Sequence, residues 1–152
     1  MIKDQNGKVH WISRSVVVVC SIFWQDYFLI VRRGKRVLET GKWCLPCGYL
    51  DYDETIEECV IRETWEETGI DLRNHKHQIQ LDYINSNPTT QNQQIGFHYI
   101  VEIDSDSERP QVDLSVVDSD ETTDAKWIKI SDIDQYKFAF NHDKKMLKHF
   151  SK

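Results

Sequence analysis

Apolar positions fall in short runs parted by polar turns. Residues 15–23 are rich in β-branched side chains and residues 27–33 form a second apolar run; Gln25-Asp26 between them suits a tight hairpin. Residues 42–46 read as a short strand that Pro46 and Gly48 terminate. Residues 78–85, 94–103 and 125–130 are further strand candidates, whereas residues 131–150 carry helical spacing. The opening ten residues are polar and hold Asn6-Gly7, a turn dipeptide, so they read as an arm (about residues 1–12) or a short hairpin. Two loops interrupt the pattern: residues 86–93, polar with Pro88, and residues 104–123, long and acidic.

The strongest helical signal lies mid-chain. Thr55-Ile56-Glu57-Glu58 fits a capping box, and Gly69 stands where a left-handed cap would end the helix, which predicts a helix from about Ile56 to Thr68. With Glu63 at zero on a wheel of 100° per residue, Ile56, Cys59 and Val60 fall within about 60° of it. Glu66 and Glu67 fall in the same sector. The stripe that is apolar at the start of the helix becomes acidic at its end.

Composition sharpens that picture. The chain has 152 residues, 39% hydrophobic and 29% charged, with a formal charge of -6. That is one domain's worth of sequence, enough to hold a core without disulfides. The longest apolar run falls far short of the ~20 residues of a membrane span, and the N-terminus lacks a signal-peptide profile. No basic face is concentrated enough for duplex nucleic acid, which leaves nucleotides as small-molecule partners. Nine acids stand against one base, Arg62, between residues 51 and 71. Three carboxylates converging on a partly buried stripe are costly as bare charges, and a divalent cation removes that cost. All-oxygen donors at this density suit Mg²⁺ or Mn²⁺. Helical phase alone leaves open a plain surface helix with pairs such as Glu58 and Arg62.

Gly48, five residues, Glu54, seven residues, then Arg62-Glu63-Thr64-Trp65-Glu66-Glu67-Thr68-Gly69-Ile70 resembles the Nudix box, G-x5-E-x7-R-E-U-x-E-E-x-G-U with U aliphatic. The match spans 23 of 152 residues, and every charged and glycine position agrees. Thr64 departs at an aliphatic position, and Cys47 stands where many members carry glycine. The resemblance implies an α/β fold, a Nudix-type α/β/α sandwich around a mixed sheet, formed by one domain over residues 1–152. It also implies that Glu63, Glu66, Glu67 and the Cys47 carbonyl hold Mg²⁺, that Arg62 orients the carboxylates, and that Glu54, Gly48 and Gly69 shape the loop and helix. Many members add a glutamate about six residues before a tryptophan; Glu121 before Trp127 fits, with Asp118 and Asp120 as competitors. The implied chemistry is hydrolysis of a nucleoside diphosphate linked to another moiety, with triphosphate hydrolysis and a non-catalytic sensor as the alternatives.

Other residues add less. Arg32 and Arg33, closing the second strand, are candidates for the substrate's phosphates. Residues 138–142, Phe-Ala-Phe-Asn-His, resemble a stretch in the last helix of ADP-ribose-type members and tilt the substrate expectation that way. His98 reads as a satisfied strand residue, with Phe97 and Tyr99 on the other face as core or a stacking platform. The polar residues 85–88 are the expected place for specificity contacts. Cys44-Leu45-Pro46-Cys47 is a lone C-x-x-C without two further zinc ligands, and four cysteines without a secretion signal point to reduced thiols in a cytoplasm. Trp65 and Ile61, opposite the acidic face, are expected either beneath the C-terminal helix or in a homodimer contact.

Overall fold

The structure is a computed structural model that describes residues 2–3, 5–10, 15–86 and 94–151. In the expected polar loop, residues 87–93 lie outside the described residues, as do residues 1, 4 and 11–12 of the N-terminal arm. That arm contains a small antiparallel pair, β1 (Ile2–Lys3) and β2 (Val9–His10), turning through Gly7.

Seven strands form one mixed sheet among the described residues: β3 (Val16–Trp24), β4 (Tyr27–Arg33), β5 (Trp43–Cys44), β6 (Cys47–Tyr49), β7 (Ile79–Ser86), β8 (Ile95–Ile103) and β9 (Thr122–Lys129). The order is β5-β4-β3-β8-β7, with β6 also on β3 and β9 on β4. β3 runs parallel to β8 over nine residue pairs and antiparallel to β4 and β6. Because β3 sits at the centre with both faces covered, it is apolar apart from the buried Ser21 and does not alternate. Helix α1 (Ile56–Thr68) covers one face through Cys59 and Val60, which pack with Val18, Cys20 and Ile22. Helix α2 (His142–Phe150) covers the other, where Met146 packs with Val19, Phe23, Phe28 and Ile30. The two helices therefore lie on opposite faces, and Trp65, 45% exposed, is not beneath α2.

The C-terminal segment departs from the sequence expectation. Helical spacing over residues 131–150 resolves into a 3-10 turn (Ile130–Gln135), an extended strap, and α2 only from His142. β5 claims the backbone of the strap: the Trp43 amide donates to the Lys137 carbonyl and the Ala139 amide to the Trp43 carbonyl, at 2.9 and 2.8 Å. Phe140 and Asn141 then take left-handed conformations, φ 58° and 57°, that reverse the chain into α2. His142, 5% exposed, lands under β5 and its Nδ1 accepts from the Leu45 amide at 3.0 Å.

That contact carries a prediction. Burial pushes the His142 imidazole down to about 3, with neighbouring Lys145, His98 and Arg33 acting in the same direction. The unfolded chain then binds a proton that the folded chain refuses. Stability present above pH about 6.5 should be lost as pH falls toward 3, with a slope approaching about 1.4 kcal/mol per pH unit from this residue. Urea unfolding at several pH values should show the loss, and His142→Gln should lose less stability than wild type between pH 6.5 and 4.5.

Candidate active site

Helix α1 begins and ends where its own residues dictate. Thr55 Oγ1 accepts from the Glu58 amide and Glu58 Oε2 accepts from the Thr55 amide, at 3.2 and 2.8 Å. Gly69 closes the helix at φ 71° and donates to the Trp65 carbonyl at 2.7 Å. Thr64 is fully buried in an aliphatic position, and its hydroxyl is satisfied by the Val60 carbonyl at 2.7 Å.

The carboxylates at the end of this helix are organised by Arg62. Its Nε and Nη2 grip both oxygens of Glu54 at 2.9 and 2.6 Å, and Nη2 also donates to the Tyr49 carbonyl. Nη1 donates to Glu63 at 2.8 Å and to Glu66 at 2.9 Å. The guanidinium holds the Glu54 carboxyl down to about 2 and is itself raised, chiefly by Glu54. Glu63 behaves differently: burial pushes it up to about 7, with Glu66 and Glu54 adding to the rise and Arg62 opposing it. Glu67 is raised well above the ordinary range, first by burial and then by Cys47 and Glu63, although its Oε2 accepts from the Cys47 amide at 2.9 Å.

Gly48 makes room for this arrangement. A Cβ there would stand 2.0 Å from the Glu63 carboxyl carbon. The obstructing group ends a flexible side chain, so Gly48→Ala should fold and displace Glu63. We expect circular dichroism to be unchanged and turnover to fall at least about a hundredfold, the usual cost of a misplaced reacting group.

Glu63, Glu66 and Glu67 form one wall of a cleft of about 280 Å³, and Val116, Asp118, Glu121 and Thr122 form the rest. The loop wall is fastened to the turn after β4. The Gly34 amide donates to the Glu121 carbonyl at 2.7 Å, and the Arg36 amide to the Asp120 carbonyl at 2.9 Å. A Cβ on Gly34 would meet the Asp120 carbonyl oxygen at 2.3 Å, so only glycine allows this approach. The Arg36 guanidinium pairs with Asp118, Asp120 and Glu121 at 3.2, 3.3 and 3.6 Å. Thr122 Oγ1 is buried in the cleft wall without a hydrogen-bond partner among the described residues.

Among the described residues no three acidic, histidine or cysteine side chains converge closely enough to hold an ion as they stand, and Arg62 occupies oxygens of Glu63 and Glu66. The donor chemistry nonetheless fits a hard divalent cation: three carboxylates on one wall, two of them raised by burial and mutual repulsion.

The structure separates the other sequence candidates. Arg32 is exposed and donates to the Gly41 carbonyl at 3.2 Å, away from the cleft. Arg33 turns inward, with Nη1 3.6 Å from Cys44 Sγ and 3.9 Å from Cys47 Sγ and its guanidinium 4.7 Å from the centre of the Phe140 ring; burial opposes its charge, but Cys44, Cys47 and then Glu67 raise its proton affinity. Cys44 and Cys47 are free thiols. Asp118 reaches the cleft alongside Glu121, whereas Asp120 is not part of its wall. Sequence reasoning had no signal for Thr122, whose place depends on the pairing of β9 with β4.

Residues 13–150 match the family profile described as NUDIX domain. The chain belongs to the NUDIX family. This NUDIX domain is 25% identical over 133 residues to an NAD-capped RNA hydrolase NudC of Photobacterium profundum, covering 88% of this chain and 44% of that protein. It spans less than half the length of the curated relatives it matches. Among solved structures, the bifunctional NMN adenylyltransferase/ADP ribose pyrophosphatase of Francisella tularensis, complexed with AMP and a manganese ion, superposes with a TM-score of 0.77 at 24% identity. That match covers 94% of this chain and 43% of the other. The NUDIX domain of Shewanella oneidensis NrtR, complexed with ADP ribose, gives a TM-score of 0.72 at 21% identity over 97% of this chain and 93% of its own. The α/β architecture of this NUDIX domain is thus that of its family.

Proposed function

We propose that this domain is a Mg²⁺-dependent hydrolase that cleaves the diphosphate of a nucleoside diphosphate joined to another moiety, an ADP-ribose-like compound or a dinucleotide. The observation that carries this reading is the acidic wall of the cleft, with Glu63 and Glu66 held by Arg62, Glu67 held by the Cys47 amide, and Asp118 and Glu121 in the same cleft. The relatives named as NAD-capped RNA hydrolases and the ADP ribose pyrophosphatase neighbour support the substrate class. Glu63, Glu66, Glu67 and the Cys47 carbonyl would hold Mg²⁺, or Mn²⁺ in its place. When bound, the ion neutralises phosphate oxygens and lowers the pKa of a coordinated water.

The chain's own groups do the rest. Arg62 fixes two carboxylates so that they need not reorganise during the reaction. Glu121, across the cleft, would take the proton of the attacking water. As that water's oxygen bonds to phosphorus, the phosphorus–oxygen bond of the anhydride breaks and the second phosphate leaves. Arg33, aimed inward beside Cys47, is the side chain to pair with a phosphate of the substrate.

The domain reading covers residues 1–152 as one unit. Four free cysteines support a reducing, cytoplasmic setting. A second reading, a ligand-binding module without turnover, is favoured by the likeness to the NrtR domain complexed with ADP ribose. One experiment separates the two: phosphate release from ADP-ribose, NADH, dinucleoside polyphosphates, nucleotide sugars and nucleoside triphosphates, with Mg²⁺ or with EDTA. Metal-dependent cleavage of a diphosphate-linked class supports the hydrolase, and cleavage of triphosphates alone replaces the substrate class. Tight ADP-ribose binding with silence across the panel would overturn the hydrolase in favour of the binding module.

A further inference from the structure

On the α2 face of the sheet, Lys145 reaches from the first turn of α2 to His98 of β8, with Nζ 3.2 Å from Nδ1. An ammonium only donates, so Nδ1 accepts and the imidazole carries its proton on Nε2. Tyr83 of β7 stacks on His98 with ring centres 4.2 Å apart and planes 11° from parallel, and Lys145 Nζ lies 5.2 Å from the Tyr83 ring centre. Burial pushes the Lys145 ammonium down to about 8, while Asp82 and Cys20 act the other way. His98 is held down to about 4 and stays neutral, as does His142 beside it. Among the described residues no carboxylate forms an ion pair with Lys145. The ammonium is thus a largely buried cation between neutral rings, with one donor used and two left over. A purely structural lysine there would extend its amine to water or take a carboxylate partner.

The position relative to the carboxylate cleft gives this group a purpose. His98 is in register with Val19 and Val19 with Cys47, so Lys145's partner lies two strand spacings, roughly 10 Å, from the Cys47 backbone. Val19 and Cys47 pack on the α2 side, the side from which Lys145 reaches His98. Arg33 lies against the half-exposed Phe140 ring, whose centre is 5.6 Å from that of the His142 ring at the start of α2. A diphosphate held by Arg33 would put the rest of the nucleotide on the side that carries Phe140, His142 and Lys145.

We propose that Lys145, held by His98 and Tyr83, is a subsite for a second phosphate, carried on the ribose of the substrate and separate from the diphosphate that is cleaved. The proposal rests on the hydrolase reading for its orientation. The shared chemistry is a ribose phosphate, supplied either by a phosphomonoester on a free nucleotide or by the phosphodiester of a nucleotide chain.

The first test is binding without metal, independent of turnover. Adenosine 2′,5′-bisphosphate and adenosine 3′,5′-bisphosphate are compared with AMP by calorimetry on the full chain. At least one bisphosphate should bind about tenfold more tightly, the worth of a charge-assisted hydrogen bond. Lys145→Gln should bring that ratio close to one, and Lys145→Arg should restore part of it, with thermal melts confirming that both variants fold. Equal affinity for AMP and both bisphosphates in the wild type, or an unchanged ratio in Lys145→Gln, would overturn the subsite. The second test separates the sources: kcat/KM for NADPH, for NADH and for a short oligoribonucleotide bearing an NAD cap. An advantage for NADPH identifies the monoester, an advantage for the capped oligonucleotide identifies the diester, and in either case Lys145→Gln should erase it through KM. Bisphosphate-selective binding with no turnover of any substrate would retain the subsite and reject the hydrolase.

Discussion

Glu67→Gln is expected to lower turnover by roughly two to three orders of magnitude while the melting temperature holds or rises. The amide keeps an oxygen that can accept from the Cys47 amide, so the contact that seats the side chain survives. What disappears is a negative charge that burial and the neighbouring Glu63 already make unfavourable. A neutral side chain of equal size in that place relieves the fold and weakens the cation site, the trade expected where activity depends on a destabilised group. Loss of several kcal/mol of charge stabilisation at the reacting phosphate corresponds to the stated fall in rate. Glu66→Gln should behave alike in rate with little thermal effect, because Glu66 is half exposed. An unchanged rate in either variant, measured at saturating Mg²⁺, would contradict the assignment of this wall.

Arg62→Ala should act on both stability and rate. Its guanidinium satisfies both oxygens of Glu54, one each of Glu63 and Glu66, and the Tyr49 carbonyl. Removing it leaves the Glu54 and Glu63 carboxylates, 12% and 14% exposed, without their cation. Breaking such a cluster from one side costs about 3 kcal/mol, toward the low end of the range because part of the guanidinium reaches solvent. For a domain of this length that is a fall in melting temperature of roughly 6–12 °C. Arg62→Lys should recover part of the stability, since one ammonium cannot grip Glu54 with two parallel bonds. Calorimetry on the three proteins, with urea melts in parallel, checks the ordering; equal stability of Arg62→Ala and wild type would remove Arg62 from its organising role.

What could be read in advance tracks how local the determining interactions are. Both ends of α1 were visible because Thr55, Glu58 and Gly69 act within one turn of the helix. The acidic stripe followed from helical phase, and Gly48 from its place in the box; the structure supplies the reason, a Glu63 carboxylate lying where a side chain would start. Arg32 and Arg33 stood equal in the sequence. Only the alternation of β4 against β5 and β9 decides that Arg33 turns inward. The strap before α2 reads as helix because Ile133 and Tyr136, three residues apart, bury as one helix face would; Phe138, two residues on, follows strand spacing, and the backbone there is held by Trp43, almost a hundred residues away in the chain. The meeting of Lys145 with His98 and Tyr83 is equally nonlocal: His98 reads as an ordinary strand histidine until β8 and α2 are brought together.

The long parallel pairing of β3 with β8 also sets a timetable for the chain as it is made. Residues 16–24 cannot find their central partner until residues 95–103 exist, and β4 waits longer still for β9. Closing loops of that length before any contact rewards them makes folding slow. A nascent chain that has emerged only through the box holds β3 to β6, which pair with one another, but still lacks β7, β8 and β9. Emergence of the loop that carries Val116 to Thr122, and not emergence of the box, is the event that completes the cleft.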